Sequence, residues 1–346
     1  MFNQDMDQTM KWSFASIWNE SVLNRPERPA QPRDHIWASE LGSPLVDRYL
    51  KMTGVTPTNP PGARSLRKFD AGNIWEWIIG VVLKRSGILI ESQRWIQYQY
   101  PGLLPVTGKL DFLAGGNPDW DKAKIEIHKL GLPDFLTYRS NAIIDSFRQH
   151  YPNGLDIITL EIKSASSMSF ERFLRLQAPD PKHKLQAFHY LKAQDKPEAH
   201  VVYVCKDDAR VLEFGVFNPS DVEGIYYNDI KNLTEYINTK TLPPLEKEIL
   251  FDHGKFTKNW KVAYSPFLTM LYDYKDTDAF DSKYGKKVQQ WNRVFGRVVK
   301  GDKITDLNKE VIEDIKLTFS NFDQLVDETK SSGILDLEEE GGEPNE

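Results

Sequence analysis

At residues 161–163 the chain reads Glu-Ile-Lys, and fifty residues earlier, at 108–111, it reads Gly-Lys-Leu-Asp. In extended backbone, residues two apart point to one side, so Glu161 and Lys163 share a face while Ile162 turns into the core. The run from Asp156 to Lys163 is β-branched and aliphatic up to the motif, and Leu104 to Leu113 alternates well enough to be its sheet neighbour. Two adjacent strands would bring Asp111 beside Glu161. That pairing suits phosphodiester hydrolysis, because Mg²⁺ takes octahedral oxygen ligands, commonly one or two carboxylates with waters and a substrate phosphate. Asp111 and Glu161 would be the carboxylates, the Ile162 carbonyl a further oxygen, and Lys163 the group that orients the attacking water or steadies developing charge. A second ion, about 4 Å from the first, has room if Glu76 also faces the site. The competing reading is an ordinary ion pair at a strand end.

An acidic-x-Lys triplet alone is a weak signal, and the chain carries two controls, Asp229-Ile-Lys231 and Asp314-Ile-Lys316. Both lie in helical patterns, where residues two apart diverge around the axis. Only the triplet at 161 has strand context, an upstream Asp111 and a small-polar run, Ser164-Ala-Ser-Ser167, behind it.

Those strands need a sheet and covering helices. Helical patterns are expected from Ser39 through Leu50 and from Phe69 to Arg85, where Ile74, Trp77, Ile78, Val81 and Val82 recur with helical period around Glu76. Glu76 is either functional or on the rim of the buried face. Strands follow at Ile88–Ile90 and Arg94–Tyr100, then the Asp111 strand, then an insertion over 115–154 with a helix from Pro133 to His150. After the Glu161 strand come helices from Ser167 to Leu176 and His183 to Gln194, and a hairpin of Val201–Lys206 and Arg210–Phe217. The order implies an α/β fold, a mixed central sheet flanked by helices. The domain organisation read from this is a loose arm over 1–33 with prolines at 26, 29 and 32, a core over 34–220, a helical C-terminal subdomain over 221–325, and a disordered acidic tail over 326–346.

With 346 residues, 40% of them hydrophobic, the chain can bury a full core. The net charge of −6 looks unsuited to nucleic acid until it is located: nine acidic residues against Lys330 lie between 322 and 346, leaving the rest mildly basic. Clusters at Arg64, Arg67 and Lys68, at Arg172 and Arg175, and at Lys182 to Lys184 could line a groove or be scattered solvated charge. One cysteine, Cys205, excludes an intrachain disulfide and a four-cysteine cluster. No two of the seven histidines are three or four apart, so any metal is expected on oxygen. The longest apolar stretch is too short to cross a membrane, and the N-terminus lacks a basic start followed by an apolar run, so a cytoplasmic product is expected. Gly108-Lys109 and Gly254-Lys255 are followed by Leu and Phe rather than Ser or Thr, which argues against an ATP-binding loop.

Taken together, Gly72-Asn-Ile-Trp-Glu76, Gly108 to Asp111, Glu161 to Lys163, and Gln186 with Tyr190 four residues on resemble, in order, the motifs of the PD-(D/E)XK nuclease superfamily, in its RecB-like and lambda-exonuclease-like branch. The resemblance spans roughly residues 36 to 217. It implies a restriction-endonuclease-like core, with Glu76, Asp111 and Glu161 as metal ligands and Lys163 as the catalytic lysine. It also implies Gln186 and Tyr190, on one face with His183, as contacts to substrate, and Lys206 as similar to a basic residue near the family's site. The activity implied is a Mg²⁺-dependent deoxyribonuclease, with Mn²⁺ able to substitute, acting as an exonuclease in recombination, repair or phage-type replication. The alternatives are a structure-selective or single-strand endonuclease and a silent DNA-binding accessory protein. DNA is the expected partner, with the acidic tail free to recruit a recombination or replication protein. Several RecB-like relatives hold an iron–sulfur cluster on one early and three late cysteines; the matching stretches here, 39–47 and 260–271, contain none, so packing by Trp260, Tyr264, Phe267 and Leu271 is expected in its place.

Overall fold

The computed structural model of the chain describes residues 13–24, 29–217 and 220–332. It divides into two compact units, one of Met1–Thr56 with Pro61–Pro243 and one of Pro57–Pro60 with Pro244–Glu346.

The first unit is built on a six-stranded mixed sheet: β1 (Ile36–Trp37), β2 (Leu89–Tyr98), β3 (Val106–Gly116), β4 (Leu155–Ala165), β5 (Glu198–Cys205) and β6 (Val211–Phe217). β3 is its hub. β2 runs antiparallel along one edge of β3, while the other edge is divided between β4, antiparallel from Phe112 to Gly116, and β1, parallel at Val106 and Thr107. β4 and β5 are parallel, which demands a crossover. α6 (Ser167–Leu176) and α7 (Pro181–Gln194) provide it. Each helix starts where its cap dictates: the Ser166 hydroxyl accepts from the Ser169 N–H, and the Asp180 carboxylate accepts from the Lys182 N–H ahead of a proline in the first turn.

Alternation along β5 sorts the core into two layers. Val201, Tyr203 and the fully buried Cys205 join Leu110, Leu185, Phe188 and Tyr190 beneath α7, α6, α2 (Leu45–Met52) and α8 (Ser220–Thr239). Val202 and Val204 join Phe112, Leu160 and Ile162 beneath α3 (Ala63–Arg85), α4 (Trp120–Lys129) and α5 (Asp134–His150). This is the α/β architecture expected from the sequence, a mixed sheet flanked by helices.

The second unit contains the hairpin β7 (Ile249–Asp252) and β8 (Lys255–Lys258) with α9 (Trp260–Ala263), α10 (Leu268–Tyr272), α11 (Thr277–Lys300), α12 (Asp306–Thr318) and α13 (Phe322–Ser332). Phe256 centres its core, 5.2 Å from Trp291, 5.3 Å from Phe295 and 5.2 Å from Phe319, ring to ring.

Several expectations shift. The loose arm contains a helix, α1 (Phe14–Leu23), whose Val22 is buried. β2 is one strand where two were expected; the apparent break at 91–93 contains Gln93, whose φ is +54°. α4 is an additional helix in the insertion. α8 packs into the first unit through Val222, Tyr226, Ile230 and Leu233, so the helical C-terminal region begins at Pro244, not near 221. Periodicity shows that such a helix has an apolar face, not which core receives it. In the second unit Phe267 is buried, but Trp260 and Tyr264 stand exposed and do not join it in the packing expected of them. α13 overlaps the start of the expected tail, and residues 333–346 lie outside the described residues.

Candidate active site

The β3–β4 ladder pairs Ala114 with Ile158, Leu113 with Thr159 and Phe112 with Leu160, which makes Asp111 and Glu161 the next pair in register. At that step a side chain enters the ladder: the Ile162 N–H donates to Asp111 Oδ2 at 2.8 Å. β3 is held at this point from the α7 side. Tyr190 Oη donates to the Lys109 carbonyl at 3.0 Å, and Gln186 Nε2 donates to Tyr190 Oη at 3.1 Å. A Cβ on Gly108 would lie 2.6 Å from the Ala38 Cβ and 2.8 Å from a Tyr190 ring carbon, so the strand admits only glycine there. The Gly-x-x-Asp spacing thus has a packing cause at one end and a chemical one at the other.

Glu161 and Lys163 alternate with Leu160 and Ile162 and so lie on the α7 face of the sheet. Glu161 is only 1% exposed. Lys163 Nζ donates to its Oε1 at 2.5 Å, while Oε2 is buried and accepts no hydrogen bond among the described residues. Burial, followed by the Glu161 charge, pushes the Asp111 carboxyl well above the usual range. Burial also raises Glu161 against the opposing pull of Lys163. For Lys163, burial alone would favour the neutral amine, but Glu161 and Asp111 outweigh it and the net shift is upward. The amine therefore stays protonated between two strained acids.

Gly72, Glu76 and Gly80 follow one another at four-residue spacing along α3 and share one side of it. A Cβ on Gly80 would meet the Phe112 ring at 2.8 Å, and one on Gly72 would meet Ser164 Oγ at 3.3 Å. The two glycines let the helix settle onto the strands, with Glu76 halfway between. Burial, then repulsion from Glu161, raises the Glu76 carboxyl. Glu76 Oε1 accepts a hydrogen bond from Gln93 Nε2. Gln93, opposite Asp111 between the Ser92–Phe112 and Arg94–Leu110 pairs of β2 and β3, has φ +54°. A left-handed residue inside a strand is the sort of backbone strain that collects at working sites. The sequence offered a faint sign of it, the interruption between two strand-like runs at 91–93.

Among the described residues no three His, Cys, Asp or Glu side chains are grouped tightly enough to hold an ion by themselves. The carboxylates that could hold a cation are therefore the Asp111–Glu161 pair, with Glu76 near enough to feel the Glu161 charge but bound by Gln93. That set fits a hard dication: the Glu161 Oε2 is a buried acceptor awaiting a positive partner, and Mg²⁺ is content with one or two carboxylates and waters.

Other anticipated residues take supporting places. Gln186 and Tyr190 are buried and brace β3 rather than facing open solvent. His183 Nδ1 lies 2.8 Å from Tyr203 Oη, and burial, then the Lys163 charge, depresses its pKa to about 3. Lys206 Nζ reaches the Lys68 carbonyl at 3.4 Å and makes no hydrogen bond to the acidic pair. Both control triplets prove structural: Asp229 grips the buried Arg48 with bonds of 2.8 and 2.6 Å, and Asp314 accepts from Trp291 Nε1 at 2.9 Å.

No family model and no curated protein matches the chain. Among solved structures, the chain is similar to SSO0001, with a TM-score of 0.41 and 14% identity over 76% of this chain and 98% of that one. It is also similar to LHK-Exo in complex with dAMP, with a TM-score of 0.37 and 10% identity over 65% and 93%. A second structure of LHK-Exo, an alkaline exonuclease from Laribacter hongkongensis, gives a TM-score of 0.29 and 12% identity over 65% and 97%. Similarities this distant carry no weight in the assignment, which stands on the site itself. Among the described residues no helix is long and apolar enough to cross a membrane.

Proposed function

We propose that the protein is a divalent-metal-dependent deoxyribonuclease, acting on DNA ends as an exonuclease. The observation that carries this is the junction of β3 and β4, where Asp111 and Glu161 converge, the Glu161 Oε2 lacks a partner, and Lys163 stands alongside. Asp111 and Glu161 would hold the ion, with the Ile162 carbonyl as a further oxygen and Glu76 able to join on release from Gln93. A bound Mg²⁺ or Mn²⁺ supplies charge neutralisation at the phosphate and a more acidic water. Lys163, protonated at Nζ, places a positive charge where the pentavalent phosphorus gathers negative charge, or holds the incoming water by its oxygen. The Ile162 N–H fixes the Asp111 carboxylate against rotation, and the Tyr190 brace holds the strand that carries it. A role in recombination, repair or phage-type replication is in keeping with digestion from ends.

Incubating end-labelled linear DNA beside closed circular DNA with Mg²⁺ tests the reading. Loss of linear DNA alone marks an exonuclease, nicked circles mark an endonuclease, and binding without turnover marks an accessory protein. Asp111→Ala and Lys163→Ala are each expected to lower turnover by about 10²–10³-fold or more. Undiminished cleavage by either folded variant refutes the assignment.

A further inference from the structure

Between α3 and β2 lies a cleft of about 540 Å³ whose lining includes Asn73, Glu76, Trp77, Lys84, Gln93 and Phe112. Its volume lies in the range that holds small organic ligands. Glu76 lines this cleft and feels the Glu161 charge, so an occupant would sit near the acidic pair. Trp77, at 69% exposed, presents its indole to water beside polar groups, an unusual placement for the largest apolar side chain. Asn73 stands one turn before Trp77 on the same side of α3, and Gln93 lines the cleft from β2, so two amides and an indole share one cleft. Lys84, two turns beyond Trp77, adds a cation at the same cleft.

A flat aromatic surface, amide edges and a lysine next to a phosphate-cleaving centre match a nucleobase and its phosphate. Resting on the nuclease reading above, we propose that this cleft receives one unpaired base of the substrate strand, stacked on the Trp77 indole and bordered by Asn73 and Gln93. A base still in a duplex has both ring faces covered and its pairing edge used, so only a single strand or a frayed end can deliver one. The preferred substrate is therefore DNA with an unpaired residue adjoining the scissile bond. Stacking tolerates any base, since each offers a π-face, so the cleft would select strandedness rather than sequence.

The test is an abasic scan. Short labelled single-stranded oligonucleotides, each lacking one base at successive positions, are titrated with the full-length protein in Ca²⁺ to suppress turnover. In the unaltered protein one position should stand out, its loss weakening Kd about tenfold. Trp77→Ala should bind the intact oligonucleotide about tenfold more weakly and be indifferent to that abasic position, while Trp77→Phe should keep part of the difference. In Mg²⁺, Trp77→Ala should lose more kcat/KM on single strands than on blunt duplexes. Because Trp77 is exposed, an unchanged melting temperature confirms that the variant is folded. An abasic penalty that persists in Trp77→Ala, or no distinctive position at all in a protein that does cleave DNA, overturns the base cleft and leaves the nuclease reading intact. A wild-type protein that neither binds nor cleaves DNA overturns both.

Discussion

The two oxygens of Glu161 have different fates: one is bound to Lys163 and the other is buried with no donor among the described residues. Such a group destabilises the fold that contains it, and the raised carboxyls of Asp111 and Glu161 express the same conflict. The sign follows from linkage. In the metal-free protein these acids keep protons that the unfolded chain has already released, so stability falls as pH climbs from the ordinary carboxylate value through their raised range. Asp111→Asn, whose side-chain carbonyl can still accept from the Ile162 N–H, should remove part of that slope. It should stabilise the metal-free protein by about 0.5–2 kcal/mol while abolishing cleavage. Denaturant titrations across pH decide it, and a destabilised variant would show that the acid is a structural partner. Asp229→Ala is the contrasting case. It strands the guanidinium of Arg48, which is 1% exposed, and should cost about 3–5 kcal/mol. Asp111 and the control acid Asp229 thus separate by the sign of their effect on stability.

At the scale of elements, three features set the site: the shared edge of β3, the brace from α7, and the seating of α3 on its glycines. Gly80→Ala would drive a methyl into the Phe112 ring and should cost about 1–3 kcal/mol, with Phe112→Leu in the same chain restoring part of it. Equilibrium unfolding of the two single variants and the double variant measures that coupling; strictly additive losses would mean that the helix is seated elsewhere. Much of this scaffold was legible. Alternation revealed the strands bearing Asp111 and Glu161 and suggested that they are neighbours. What stayed hidden shares a cause. The left-handed Gln93, the grip of Gln186 and Tyr190 on a backbone carbonyl, and the allegiance of α8 all depend on what lies across the fold, and local pattern records only what lies along it. The bond between His183 and Tyr203, twenty residues away on β5, stayed hidden for the same reason.

For the whole molecule, two hydrophobic clusters in separate units imply two cooperative transitions rather than one. The proposed ion would bind only the first unit. Mg²⁺ at about a hundred times its Kd should therefore add about 2.7 kcal/mol to one transition and leave the other in place. Calorimetry with and without the ion checks this; a uniform shift of both transitions would place the binding groups outside the Asp111–Glu161 pair.

The fully buried Cys205 has a practical consequence. Sitting on β5, it is sealed from thiol reagents until the sheet opens. Because it is the chain's single sulfhydryl, its rate of chemical labelling is a built-in clock for breathing of the unit that carries the acids. Slowing of that clock by a divalent ion would register occupancy of the site without any DNA present.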